Sequence, residues 1–178
     1  DEIRQMTMTA NEYLAKCELG IKNLLDEGTP ELSYFWKELG CWVRIRVDWI
    51  SNDRTLILDY KTTGTTADIQ QYRNMITHTG LDVQDSLYRR GVHAIERNQP
   101  RMVFLVQETK SPYLCALMGM DGMFREMGMQ KVEKGIAIWK DCLSTGIWPG
   151  YPMDIQVVEP KPWTLAEWEM RQNPAVAI

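Results

Sequence analysis

Val43–Lys61 reads VRIRVDWISNDRTLILDYK and places Asp48 ahead of an Asp59-Tyr60-Lys61 triplet. Successive side chains of a strand point to opposite faces, so Val43, Ile45 and Val47 share an apolar face while Arg44, Arg46 and Asp48 share the other. Ser51-Asn52-Asp53-Arg54 is polar and turn-prone, and Thr55 to Lys61 then returns as the second strand of a hairpin. With Asn52 and Asp53 as a two-residue turn, Asp48 faces Ile57 and lies diagonally from Asp59. Diagonal neighbours sit about 7–8 Å apart at Cα, within reach of one hard divalent cation. Lys61 follows Asp59 by two and points the same way. A one-residue slip moves the whole polar set to the opposite face, so the three residues converge or fail together.

Two carboxylates and a lysine suffice for metal-assisted phosphodiester cleavage. A cation held by the acids binds a phosphate oxygen, lowers the pKa of a bound water and stabilises the charge of the displacement. The lysine orients the attacking water or neutralises the developing negative charge. Taken alone, the same spacing also describes a solvent-facing hairpin whose acids and bases pair across strands.

Further motifs follow in order: Glu31-Leu32-Ser33-Tyr34-Phe35-Trp36, Arg46-Val47-Asp48-Trp49, Ile57-Leu58-Asp59-Tyr60-Lys61-Thr62-Thr63, and Gln84 with Tyr88 in LDVQDSLY. Together they resemble the PD-(D/E)XK nucleases, and within them the RecE-type (exonuclease VIII) and lambda-exonuclease-like branch. The similarity extends through Gln107-Glu108, Ser111-Pro112-Tyr113 and Gly146-Ile147-Trp148-Pro149-Gly150-Tyr151. It implies an α/β domain with a central mixed β-sheet flanked by helices.

Carried over by position, the resemblance makes Asp48 and Asp59 metal-binding acids, Lys61 the catalytic lysine and the Tyr60 carbonyl a further ligand. Glu31 matches the upstream acid of the metal site, although a glutamate after Pro30 also suits an exposed helix start. Gln84 and Tyr88, four apart and so on one helix face, match a pair that leans toward the scissile strand. A buried tyrosine with a locally bonded amide is the alternative. RecE-type members also carry a histidine well upstream, and neither His78 nor His93 lies there. The chain starts at Asp1 rather than methionine, as it would if an amino-terminal piece were missing.

The same resemblance implies Mg²⁺, with Mn²⁺ as a substitute, and 5′-to-3′ resection of double-stranded DNA ends in phage-type recombination. It also implies a single-strand annealing protein as partner and a ring-shaped homo-oligomer. A structure- or site-specific endonuclease is the nearest alternative; a non-catalytic DNA-binding or assembly module is the more distant one.

With 178 residues and 44% hydrophobic content, residues 1–178 are expected to form a single nuclease domain. No apolar run is long enough to span a bilayer and no secretory pattern is present, so a cytoplasmic protein without membrane contact is expected. Cys17, Cys41, Cys115 and Cys142 are scattered without a CxxC pair, which fits reduced thiols and argues against zinc. Two histidines make a His-based hydrolase or zinc peptidase improbable.

Net charge is −4, but contact with DNA depends on local charge along the phosphate path. Arg44 and Arg46 lie on the presumed active face, and Arg89 falls beside Tyr88. These arginines either line a groove or belong to solvated faces.

Elsewhere, spacing predicts one helix over residues 2–26, ended by Glu27-Gly28-Thr29-Pro30. A helix through about Thr79 is closed by Gly80, and a second carries Gln84, Tyr88 and Ile95 until Asn98-Gln99-Pro100 breaks it. Met102 to Val106 reads as a buried strand, with Leu114 to Met118 as its hairpin partner. Asp121 to Leu143 reads as a long helix, and Thr164 with Glu167 as a capping box before a last helix bearing Trp168. The five methionines between Met118 and Met129 fit core filler better than an adaptable surface. Trp148, Tyr151 and Trp163 either stack on bases or cover the core edge.

Overall fold

The computed structural model describes residues 1–172. By its contacts the chain divides into two units, Asp1–Thr145 and Gly146–Ile178. The first holds a five-stranded sheet in the order β1-β2-β3-β4-β5, formed by β1 (Gly28–Glu38), β2 (Cys41–Ser51), β3 (Leu56–Thr63), β4 (Arg101–Glu108) and β5 (Cys115–Met118). Only β3 and β4 pair in parallel; the other neighbours are antiparallel. The sheet is therefore mixed, and helices flank it, as expected.

Between β3 and β4 run α3 (Ile69–Thr79) and α4 (Leu81–Glu96). The Asp68 carboxylate caps α3 by accepting from the N–H groups of Gln70 and Gln71. Gly80, with φ +72°, ends it in the left-handed region, as expected of a glycine C-cap. Arg97 ends α4 in the same region, three residues before Pro100. α5 (Gly122–Thr145) follows β5.

Each face of the sheet carries its own core. Ile45, Val47, Ile50, Ile57, Phe104 and Val106 pack with Ile76, Leu81 and Val92 of α3 and α4. Leu58, Val103, Leu105 and Trp49 pack with Leu14 and Ile21 from the amino-terminal segment. The uninterrupted apolar run of β4 thus serves both faces, and each fully buried aliphatic side chain contributes about 1.5–3 kcal/mol.

The structure corrects four expectations. Residues 2–26 are not one helix but α1 (Glu2–Lys16) and the short α2 (Leu24–Glu27). The chain is extended at Cys17 and left-handed at Gly20, with φ +61°. Helical spacing survives the break because Leu14, Cys17, Ile21 and Leu24 all reach the same cluster.

Gly28 onward is a strand, not a helix terminator. Leu32, Tyr34 and Trp36 alternate toward the core, and Leu39 and Gly40, both at positive φ, turn the chain tightly into β2. Gly28 is needed there because a Cβ would lie 2.3 Å from the Trp49 ring and 2.5 Å from the Ile50 carbonyl oxygen.

The β2–β3 connection is also wider than two residues. Asp53 accepts from the Ser51 hydroxyl and from the Thr55 N–H at 3.0 Å, Ser51 Oγ accepts from the Leu56 N–H at 3.0 Å, and Arg54 takes φ +61°. Side-chain bonds of this kind build a four-residue loop. Trp49 pairs with Leu58 and Ile50 with Ile57, which brings Asp48 level with Asp59 instead of Ile57. The shift is two residues, and Asp48 shares a face with Asp59 only because the alternation of β2 breaks after Val47, which lies in the same core as Ile57.

In the second unit, α6 (Pro162–Gln172) starts two residues before Thr164. Thr164 therefore lies inside the first turn, where its N–H donates to the Lys161 carbonyl at 2.9 Å. Proline preorganises the first helical position and moves the start upstream of the expected capping box. Among the described residues, no helix is long and apolar enough to cross a membrane.

Candidate active site

Asp59 and Lys61 leave β3 on the side covered by α3 and α4, the side that also receives Ile57. Asp59 is fully buried, and its two oxygens have separate partners. Lys61 Nζ donates to Oδ2, and Gln84 Nε2, from α4, donates to Oδ1 at 2.5 Å. Lys61 also stands 5.8 Å from the ring centroid of Phe104, the β4 residue paired with Asp59. Burial pushes the Asp59 carboxyl above its ordinary range, and the negative charge of Asp48 adds to the rise. The Lys61 ammonium and the Gln84 amide act in the other direction.

Asp48 sits where the alternation of β2 changes phase. Val47 and Ile50 share one core although three residues apart, while Trp49 belongs to the other. The ladder between β2 and β3 reaches only as far as Trp49, and Asp48 Oδ2 continues it by accepting from the Tyr60 N–H at 3.0 Å. Asp48 thereby borders two openings. One, of about 510 Å³, is lined by Ser33, Arg44, Arg46 and Tyr88; the other, of about 590 Å³, by Leu24, Trp49, Tyr60 and neighbours from α1.

The remaining sequence-derived candidates divide. Gln84 bonds Asp59, and the phenol of Tyr88, one turn on, is raised by burial and then by the charge of Asp59. Arg44 and Arg46 line the Asp48 cleft. Glu31 stands across from Asp48 between the pairs Pro30–Trp49 and Leu32–Val47, but it is exposed and bonds Arg46 Nε at 2.8 Å. Among the described residues, no three His, Cys, Asp or Glu side chains are gathered to hold a metal. Arg89 points elsewhere: its Nε donates to the Pro100 carbonyl at 3.0 Å and it lines a separate cavity between α4 and α5.

Sequence reasoning missed two contributions. Tyr72, buried on α3, has its phenol raised by desolvation and then by Asp59. Its place on an apolar helix face with Ile76 was visible, but its direction depends on how α3 docks. The segment Thr62-Thr63-Gly64-Thr65, at the end of β3 and just beyond it, lines a cavity of about 440 Å³ with Lys61, Tyr72 and Gln84. A hydroxyl-rich tract directly after the lysine was the available signal.

The candidate ligands are hard oxygens: the Asp48 and Asp59 carboxylates and the Tyr60 carbonyl between Asp59 and Lys61. A buried carboxylate whose ionised form is penalised by desolvation gains from a cation beside it, so these residues fit a hard divalent ion.

A family model described as a PDDEXK-like domain of unknown function (DUF3799) matches residues 4–160. The chain belongs to this PDDEXK-like family. A crystal structure of a "Putative exonuclease" from Eubacterium rectale is similar in fold, with TM-score 0.63 and 13% identity over 92% of this chain. The match spans 64% of that longer chain. No curated protein matches significantly. In this chain Asp48 lies on β2, and Asp59 and Lys61 on β3.

Proposed function

We propose that this PDDEXK-like protein is a Mg²⁺-dependent deoxyribonuclease of the RecE and lambda-exonuclease type, degrading double-stranded DNA from its ends in the 5′-to-3′ direction. The observation that carries the reading is the convergence of Asp48 and Asp59, on neighbouring strands, with Lys61 and Gln84 at the buried carboxylate.

Asp48, Asp59 and the Tyr60 carbonyl would hold the cation, with Glu31 as the acid nearest to it on β1. When bound, a divalent ion supplies Lewis acidity to a phosphate oxygen and a lowered pKa to water. Lys61 orients the attacking water and offsets charge developing on the phosphate. Gln84 and Tyr88 position the scissile strand from α4. Arg44 and Arg46 meet flanking phosphates, where cationic side chains supply affinity without reading sequence.

The wider setting belongs to the same proposal: resection for phage-type recombination in the cytoplasm, a single-strand annealing partner, and a ring-shaped homo-oligomer. Linear and covalently closed circular duplex, each incubated with Mg²⁺ or with Mn²⁺, provide the test. Degradation of the linear form alone is expected. Cutting of the closed circle would make the protein an endonuclease, and failure to cut either would leave a DNA-binding module.

A further inference from the structure

Arg89 leads to a further cavity, of about 390 Å³, between α4 and α5. It lies on a different face of α4 from Gln84, and its volume falls within the range of about 300–1,000 Å³ seen for small-molecule sites. The two helices meet closely here: a Cβ on Gly128 would stand 2.1 Å from the Asp82 carbonyl oxygen.

The cationic groups at this cavity differ in how fully they are matched. Arg90 is committed outward, paired with Glu38 and with Glu133 at 3.4 Å. Arg89 pairs with the fully buried Asp85, whose Oδ2 is 3.5 Å from Arg89 Nη1, and the charge of Arg125 also acts on that carboxylate. Arg125 Nε and Asp85 Oδ1 are both buried and make no hydrogen bond among the described residues. A buried donor left unbonded is costly, and an anionic acceptor would satisfy it. The one acid on the wall, Glu126, already accepts from Gln130 at 2.7 Å. Met129 and Val132 supply apolar lining to the same cavity.

We propose that this cavity binds a free nucleoside monophosphate, with its phosphate on Arg89 and Arg125 and its base against Met129 and Val132. Guanidinium forks match phosphate oxygens bidentately, and an apolar wall accepts the flat base. The site does not depend on the nuclease reading, because it uses none of Asp48, Asp59 and Lys61.

The test is calorimetric titration of the full chain with dAMP, with inorganic phosphate and with a short 5′-phosphorylated duplex, without divalent metal. Binding of dAMP is expected, with phosphate competing weakly. Arg125→Gln should lower dAMP affinity about tenfold, the size of one lost charge-assisted hydrogen bond. Gln99→Glu, at the exposed mouth, should weaken binding by repulsion without disturbing the core, which guards against a folding defect in the arginine variant. Asp59→Asn should bind dAMP as the parent does. No dAMP binding at millimolar concentration, unchanged affinity in both cavity variants, loss in Asp59→Asn, or preference for the duplex over dAMP would each overturn the proposal.

Discussion

Asp48 Oδ2 accepts a 3.0 Å hydrogen bond from the backbone N–H of Tyr60, so a side chain continues the β2–β3 ladder where backbone pairing ends. One carboxylate thus tethers the strands and supplies charge to the candidate metal site. The two roles separate by substitution. Asp48→Asn keeps an acceptor for Tyr60 and should retain the parent melting temperature while losing cleavage. Asp48→Ala should lose cleavage and about 1 kcal/mol of stability as well. Urea denaturation beside a gel-based cleavage assay checks both, and an active Asp48→Asn would remove Asp48 from the metal site.

Lys61 is the cation against the buried Asp59 carboxylate and lies near the Phe104 ring. Lys61→Ala should reduce cleavage about 10²–10³-fold, as expected when one preorganised stabilising group is lost. Affinity for duplex DNA, measured by fluorescence anisotropy in Ca²⁺, should remain close to parental. Equal loss of binding and cleavage would show that the lysine binds DNA instead of assisting the reaction.

Burial raises Asp59 in the folded chain, and the sign of its effect on stability follows. Below the unfolded value, near 3.9, the carboxyl is protonated in both states and costs nothing. As pH rises through the folded value the group ionises at the expense of the fold, so the metal-free protein is penalised at neutral pH. Asp59→Asn removes that penalty and should melt higher than the parent at pH 7, with the gap closing toward pH 4, while cleavage is abolished. Thermal melts in EDTA across this range measure it. A variant less stable than the parent at pH 7 would mean that the Lys61 pair outweighs the cost of burial.

The hairpin and its polar set were legible because strand alternation is local: Val43, Ile45 and Val47 fall into one core as their spacing demands. Its register was not, since the loop is built by the side chains of Ser51 and Asp53. The site forms because the alternation of β2 changes phase at Asp48: Ile45 and Val47 share a core with Ile57, so unbroken alternation would have put Asp48 on the face opposite Asp59. β1 was obscured by Pro30 and by the apolar Phe35 amid the alternating Leu32, Tyr34 and Trp36. The parallel pairing of β3 with β4 joins segments separated by two helices, which local pattern does not encode. Arg89 shows the same limit, because which face of α4 meets α5 depends on the close approach at Gly128.

Glu31 holds φ at +54°, a conformation costly for a residue with a Cβ, and it does so next to Asp48 in the register of β1 and β2. Strain of this kind persists where surrounding structure enforces it, and it clusters at functional positions. The pair with Arg46 is largely exposed on both sides and so contributes little to stability. Glu31→Gly should therefore relieve strain and leave the melting temperature equal to or above the parent's. If Glu31 is the upstream acid of the metal site, the same variant should need more Mg²⁺ to reach half-maximal cleavage, as should Glu31→Gln, which keeps the strain and loses the charge. Mg²⁺ titrations of the two variants against the parent separate backbone from charge: matching shifts in both implicate the carboxylate, whereas unchanged Mg²⁺ dependence in both would confine Glu31 to the surface pair with Arg46.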